Sequence, residues 1–333
     1  MQRIQPHVRS GLHTAKSWVR TNDTVKTVLY ELSNVGEFSD IFEHEKMLAD
    51  SVRVDNYAAA IRRHIDSDDV VVDLGTGSGI LAMMAAQQGA TVYAIDHSEF
   101  VKVAEYIALK NGVDTIEFRQ VNSTEFTCSE DVDVVLHEIM GDDLLNENMI
   151  EYLLDLKRRV LDEKGTILPG RFDLFLEPVT LTDDHRVPFV EDISAQGIDF
   201  SVLRNHPDIE KFKPESHTRR WMDVAGFDQY LSTPEPILSF DVNDLPHENA
   251  LPTRLTASRR VENPGTVDGL CVFFRVIFDE ETQFDTAPTS TKTSWSNRLL
   301  RTPQREYDEG DELTYTVTLN DISDSETWDV TLT

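Results

Sequence analysis

Residues Val70 to Ile80 read VVVDLGTGSGI, a β-branched run that passes through Asp73 into three alternating glycines, Gly75, Gly77 and Gly79, and then into a helical pattern. Glycine lacks a Cβ, so a chain built this way can turn sharply and bring its backbone against a ligand. A dinucleotide loop would space its glycines G-x-G-x-x-G, with pyrophosphate on the following helix. Here the spacing is G-x-G-x-G with an acid two residues upstream. The next apolar run, TVYAID, ends at Asp96, a strand-end acid whose two carboxylate oxygens suit a ribose diol.

Outward from this turn, the short runs VVVDL, TVYAID, IEFRQV and DVVLHEI alternate with the helical patterns ILAMMAAQQG and FVKVAEYIALKNG. Strands alternating with helices predict an α/β domain, a parallel doubly wound Rossmann-like sheet over residues 67–168. Upstream, VKTVLYEL, FEHEKMLADSV and YAAAIRRHI carry apolar residues at helical spacing and predict an N-terminal helical cap over 1–66. Near Leu161 the texture changes to the turn-rich DEKGTILPG. Strand-like segments follow, RFDLFLEPV, RLTASRRV, LCVFFRVIF and ELTYTVTL, predicting a β-barrel-like domain over 169–333. Residues 197–230 read as short helices inserted into it.

The chain has 333 residues, with 60 acidic against 31 basic and a formal net charge of −29. Asp outnumbers Glu and Arg outnumbers Lys. Such a surface suits concentrated salt, where screening removes the self-repulsion. It disfavours nucleic acid, since a polyanion is repelled and salt suppresses counterion release. The pairs Arg62–Arg63, Arg158–Arg159, Arg219–Arg220 and Arg259–Arg260 are expected to be solvated ion-pair partners. Cys128 and Cys271 are too few for a disulfide framework, and the ten histidines show no metal-ligand spacing. Arg3, Arg9, Lys16, Arg20 and Lys26 are followed by no secretory apolar core, and no run approaches the ~20 residues that span a bilayer. A cytoplasmic protein without membrane or metal is expected.

Two further segments carry chemistry. Asn122, Ser123 and Thr124 follow the third strand, where the crevice of such a fold continues, so Ser123 and Thr124 are candidate adenine contacts. After the fourth strand, Glu138 and Glu147 lie nine residues apart. On a helix they would face roughly opposite ways, whereas a loop that folds back brings both carboxylates to one cation. His137 beside Glu138 reads as a neutral strand-end histidine.

The glycine loop resembles motif I of class I S-adenosylmethionine methyltransferases, and the likeness extends along the chain. EIMGDDLLNE, from Glu138 to Glu147, resembles the double-E loop of the protein arginine methyltransferases. HEKMLADSVR, from His44 to Arg53, is similar to that family's H-E-x-M-L-x-D-x-V-R helix. TSW at Thr293 to Trp295 falls where the family has T-H-W, after Phe284, Thr286, Pro288 and Ser290 of an F-x-T-x-P-x-S pattern. The motifs occur in order from about Val35 to the C-terminus.

The resemblance implies S-adenosylmethionine as cofactor, with His44, Met47 and Arg53 closing over it, Asp73, Gly75, Gly77 and Gly79 in motif I, Asp96 at the ribose, and Ser123 and Thr124 at the adenine. It implies Glu138 and Glu147 as a guanidinium clamp, Met140 and Trp295 on the substrate side, a protein substrate with exposed arginines, and a homodimer through an arm at 197–230. The sequence also departs from the family. Asn34, Val35 and Phe38 stand where it has an aromatic Y-F-x-x-Y segment, and Ser294 replaces the histidine that would pair with Asp50. Two alternatives stay open: methyl transfer to another acceptor (RNA, a ribosomal-protein lysine or a small amine), and a non-catalytic cofactor-binding scaffold. A nucleobase methyltransferase would carry an N/D-P-P-Y/F motif where this chain reads HEIM.

Overall fold

The computed structural model describes residues 41–213 and 218–333. The expected helix in VKTVLYEL and the departures at Asn34, Val35 and Phe38 lie outside the described residues. Two helices open the described chain, α1 (Ile41–Ala49) and α2 (Ser51–His64). Asp50 separates them and caps α2, its Oδ1 accepting from the Arg53 N–H at 3.0 Å.

The α/β domain then runs β1 (Val70–Leu74), α3 (Ile80–Ala86), β2 (Thr91–Asp96), α4 (Val101–Lys110), β3 (Ile116–Gln120), β4 (Val132–His137), α5 (Met149–Arg159) and β5 (Leu161–Leu168). The sheet order is β3-β2-β1-β4-β5, with every pairing parallel. β1 and β4 are buried on nearly every residue, as a sheet covered on both faces requires. The order reverses between β1 and β4, so the crevice at the carboxyl ends of these strands is the fold's ligand position. The turn-rich segment DEKGTILPG is in fact strand β5. Its register against β4 jumps from Leu161 to Thr166, so the polar residues DEK form a bulge and the strand resumes at the apolar end.

The C-terminal half is antiparallel and β-rich. It contains β6 (Arg171–Leu181), β7 (Ser194–Ala195), β8 (Ile198–Asp199), β9 (Arg219–Met222), β10 (Phe227–Tyr230), β11 (Leu238–Asp241), β12 (Arg254–Arg260), β13 (Gly265–Ile277), β14 (Gln283–Asp285), β15 (Asn297–Tyr307), β16 (Glu312–Leu319) and β17 (Trp328–Leu332). As the β-rich reading expected, its main strands form a seven-stranded sheet built on β10-β6-β13-β15-β9 and a three-stranded sheet β12-β16-β17. Period-two alternation decides their faces. Phe172, Leu174 and Leu176 of β6 and Leu270, Val272, Phe274 and Val276 of β13 share one core with Leu313, Tyr315, Val317 and Leu319 of β16 and with the α/β domain. Phe175, Val179, Cys271 and Phe273 point the other way into a smaller cluster.

The 197–230 segment, read as short inserted helices, holds short 3-10 helices at Ser201–Asn205, Ile209–Phe212 and Val224–Gly226, and β9 and β10 at its far end join the large sheet. Its turns are short because Phe200, Pro207 and the polar stretches between them supply no continuous apolar stripe. The arginine pairs differ from the solvated reading. Arg63 and Arg158 do reach exposed acids, but strand alternation turns Arg219 and Arg259 inward while Arg220 and Arg260 stay out. Arg259 Nη2 meets buried Glu177 at 2.7 Å, tying the small sheet to the large one.

Candidate active site

A cleft open to solvent lies at the β1/β4 switch point. Its floor is the glycine loop. Gly75 and Gly77 hold left-handed backbone at φ 68° and 50°. A Cβ on Gly77 would come within 3.0 Å of His44 Cε1, so α1 sits directly over the loop. His44 is buried and stacked on Phe100, ring centroids 3.9 Å apart. It thereby forms a roof whose position depends on glycine beneath it.

At one wall, Asp96 ends β2. Its Oδ2 accepts from Gly77 N–H at 3.0 Å and its Oδ1 from Ser98 N–H at 2.8 Å, leaving the remaining lone pairs of both oxygens for further donors. Asp73 lies beneath the loop instead. Its Oδ2 takes the Thr76 hydroxyl at 2.6 Å and Ala82 N–H at 3.1 Å, pinning the start of α3 to the strand end. Burial, the largest influence, raises the Asp73 carboxyl to about 6.

The other wall begins where β4 ends. Glu138 is largely buried, and this burial raises its carboxyl to about 7, against the lowering influence of Arg53. Arg53 Nη2 meets Glu138 Oε2 at 2.7 Å. The loop then folds back so that Glu147 lines the same cleft. The paired carboxylates thus converge although nine residues separate them. His137 contributes no proton chemistry near neutrality. It is buried and pushed down to about 4, its Nε2 lies 2.9 Å from the Pro169 carbonyl, and its own carbonyl accepts from Tyr57.

The cleft brings together His44, Met47, Arg53, Gly75, Gly77, Asp96, Ser123, Glu138 and Glu147 from the sequence reading. Others fall outside it. Thr124 is exposed and donates to Asn122 Oδ1, because Asn122 caps the 3-10 turn and draws the next hydroxyl outward. A Cβ on Gly79 would instead face Ala104 of α4. Met140 is buried behind the wall, its carbonyl accepting Trp295 Nε1 at 2.8 Å. Trp295 stacks on Phe284, with the Arg53 guanidinium 5.7 Å from its ring. The loss of a histidine at Ser294 leaves the link to Asp50 in another form, since the Ser294 N–H donates to Asp50 Oδ2 at 2.7 Å. Sequence reasoning missed His97 and Tyr152, both lining the cleft. His97 follows Asp96 directly, and Tyr152 is one helical turn from buried Met149, so both were within reach of the spacing. Among the described residues no His, Cys, Asp or Glu cluster could hold a metal, and no helix is long and apolar enough to cross a membrane.

The ribosomal protein L11 methyltransferase family matches residues 58–170. The chain is 31% identical over 280 residues to a probable protein arginine N-methyltransferase 6.1 of Oryza sativa subsp. indica, covering 80% of this chain and 70% of that one. The chain belongs to the protein arginine N-methyltransferase family. It is therefore an S-adenosylmethionine-dependent methyltransferase. Protein arginine N-methyltransferase 6 of Danio rerio is 29% identical over 274 residues, 79% of this chain and 77% of that one. Among solved structures, the Trypanosoma brucei PRMT1 enzyme-prozyme heterotetramer, solved with AdoHcy, superposes with a TM-score of 0.72 at 26% identity, covering 84% of this chain and 88% of that one. Arabidopsis thaliana protein arginine methyltransferase 10 gives the same score at 25% identity, covering 85% and 89%.

Proposed function

We propose that this methyltransferase acts on arginine side chains of proteins, and that Glu138 and Glu147 hold the guanidinium. The observation that carries the reading is the convergence of both carboxylates on the cleft that also contains the glycine loop and Asp96. The cleft suits S-adenosylmethionine on its own features: a floor a Cβ would obstruct, a strand-end diol acceptor at Asp96, and the polar turn at Ser123 for the adenine end. When bound, S-adenosylmethionine supplies an electrophilic sulfonium methyl.

A guanidinium stays protonated up to about pH 12 and delocalises its lone pairs, so its nitrogen is a weak nucleophile. Two carboxylates engaging the planar fork localise positive charge on the nitrogens they hold and leave the third richer in electrons. They also offset the repulsion between two cations brought to reacting distance, and positioning at ~3 Å supplies much of the remaining acceleration. As the nitrogen is alkylated it loses a proton. Glu138, whose desolvated carboxyl titrates near 7, is a base matched to neutral pH. Arg53 orients Glu138 from the cofactor side, and Trp295 supports Arg53.

The reading extends to assembly and environment. Ile198, Val202 and Phe212 in the 197–230 arm are more than half exposed, and a homodimer through this arm would cover them. Sedimentation should then give twice the monomer mass, falling to one mass in Phe212→Asp with Val202→Asp. The net charge of −29 fits a salt-rich cytoplasm, so the melting temperature should climb as KCl rises to molar levels.

The test of the activity is incubation with methyl-labelled S-adenosylmethionine and host extract in molar salt, followed by hydrolysis. Label in methylarginine, lost in Glu138→Gln, is the expected result. Label in lysine or nucleic acid would replace the acceptor, and cofactor binding without label would favour the scaffold reading.

A further inference from the structure

The loop that carries the two glutamates has little backbone scaffolding of its own. Its one internal bridge joins Gly141 to Leu144. Leu144 and Asn148 hold left-handed backbone at φ 68° and 53°, strained for the branched leucine. A Cβ on Gly141 would come within 2.2 Å of Asn146 Oδ1, so the turn is folded tightly on itself. A segment of this kind gives up conformational freedom for few local contacts, and its position has to be set from outside.

What sets it lies about 150 residues away in the β-rich half. Trp295 Nε1 holds the Met140 carbonyl, and Ser296 N–H donates to Asp142 Oδ1 at 2.6 Å. At the loop's centre is Asp143, fully buried. Arg298 Nε donates to its Oδ1 at 2.9 Å and lies 2.8 Å from Oδ2, while the Ser325 hydroxyl also donates to Oδ2. The Arg298 guanidinium is covered by the Trp221 ring, 4.1 Å from its centroid. Arg219, also buried, places a second cation nearby, 3.6 Å from Glu326. A buried ion pair is a weak device for stability, because apolar residues of equal size often serve as well. One that spans two domains and clasps a loop whose own hydrogen bonds are confined to a single tight turn fixes register.

We propose that Asp143 is a positioning residue of the methyl-transfer site: clasped by Arg298 and Ser325, it sets the loop so that Glu138 and Glu147 stand at the spacing one guanidinium requires. Asp143 does not line the cleft. The assignment rests on the reading of the two glutamates as the clamp. Removing the Asp143 charge leaves Arg298 and Arg219 as neighbouring buried cations, and the loop moves away from them. Misplacement of a reacting group by about 1 Å costs on the order of 100-fold in rate.

The experiment compares wild type with Asp143→Asn, Asp143→Glu, Ser325→Ala and Arg298→Lys, measuring AdoHcy affinity by calorimetry, kcat and KM on an arginine peptide, and amide exchange over residues 141–147. Asp143→Asn should lower kcat about 100-fold with AdoHcy affinity held within about twofold. Asp143→Glu should recover part of the loss, and Ser325→Ala should lose less than Asp143→Asn. Exchange should rise at the Asp143, Leu144 and Leu145 amides, which donate to Asn146 Oδ1, Gly141 and Asp143 within the turn. Unchanged kcat in folded Asp143→Asn overturns the proposal, as does a parallel fall in kcat and AdoHcy affinity. If Asp143→Asn does not fold, unchanged kcat in both Ser325→Ala and Arg298→Lys overturns it. If wild type methylates no arginine, the functional reading fails by itself. The clasp is then judged by exchange, and unaltered protection of those three amides in the variants overturns it.

Discussion

The two halves of the cleft are built by opposite strategies. The floor of the cofactor half is one continuous piece of chain, a strand, a glycine turn and a helix, closed locally by hydrogen bonds from Thr76 and Ala82 to Asp73. The acceptor half is an irregular loop held by the side chains of Trp295, Arg298 and Ser325 and by the Ser296 N–H. Short-range backbone geometry suffices to cradle a fixed cofactor. Setting the separation of two charges takes supports from another domain. The contrast teaches that substitutions in the two halves should separate cleanly, one set acting on cofactor affinity and the other on turnover.

The sharpest break of that contrast is at the carboxylates. Glu138→Gln keeps the shape but removes half the charge of the proposed clamp, and kcat should fall on the order of 1000-fold, as for loss of a strong electrostatic group. Because Glu138 also pairs with Arg53 in a largely buried contact, AdoHcy binding should weaken as well, by less than the fall in kcat. Single-turnover rates at saturating cofactor check this. A loss confined to cofactor binding would mean that Glu138 serves Arg53 and not the acceptor.

The opposite arm is Gly77→Ala. The new Cβ meets His44 at 3.0 Å on a backbone at φ 50°, so either the roof shifts or the loop does. AdoHcy affinity should fall about 10- to 100-fold, the equivalent of 1.4 to 2.8 kcal/mol, while kcat at saturating cofactor stays within about threefold. Calorimetry against single-turnover kinetics separates the two constants. Equal losses in both would merge the halves into one unit.

The same division governs what was legible in the sequence. Gly75, Gly77 and Asp96 could be placed from spacing alone, because a parallel sheet fixes the geometry of a strand-turn-helix within a dozen residues. Thr124 lies one position past the cleft, because Asn122 caps the turn and its Oδ1 draws the hydroxyl two residues on outward. The convergence of Glu138 and Glu147 depended on a fold-back that no periodicity encodes, and was legible only through resemblance. Arg298, Ser325 and Asp143 carried no local signal at all, since what unites them is a contact across more than 150 residues. Arg219 and Arg259 were misread for a related reason: an Arg-Arg pair looks solvated until strand alternation turns one member inward.

Acidity supplies a graded probe of the acceptor half. Burial lifts Glu138 to about 7, above its ordinary value, so in the free enzyme its clamp charge is present above that pH and is lost as pH falls through it. Plotted against pH, kcat/KM for an arginine peptide should drop about tenfold per unit below 7. AdoHcy affinity should vary far less across the same range. In Glu138→Gln this acid limb should vanish from the residual activity. An unaltered limb would assign it to a group other than Glu138.

The smallest expected effect lies where the halves meet. Trp295→Phe keeps an aromatic ring for stacking on Phe284 but deletes the Nε1 donor to the Met140 carbonyl. That carbonyl is buried, so its lost bond is felt, yet Asp142 and Asp143 still tie the loop down. Turnover should fall about 3- to 10-fold, with Tm lowered by only a few degrees for a change near 1 kcal/mol. Because the three anchors act on one short loop, losses should compound. Trp295→Phe combined with Ser325→Ala should cost more than the product of the single effects, since neighbouring supports couple. Strict multiplicativity would mean that the loop has separate hinges, each anchor setting only the glutamate nearest to it.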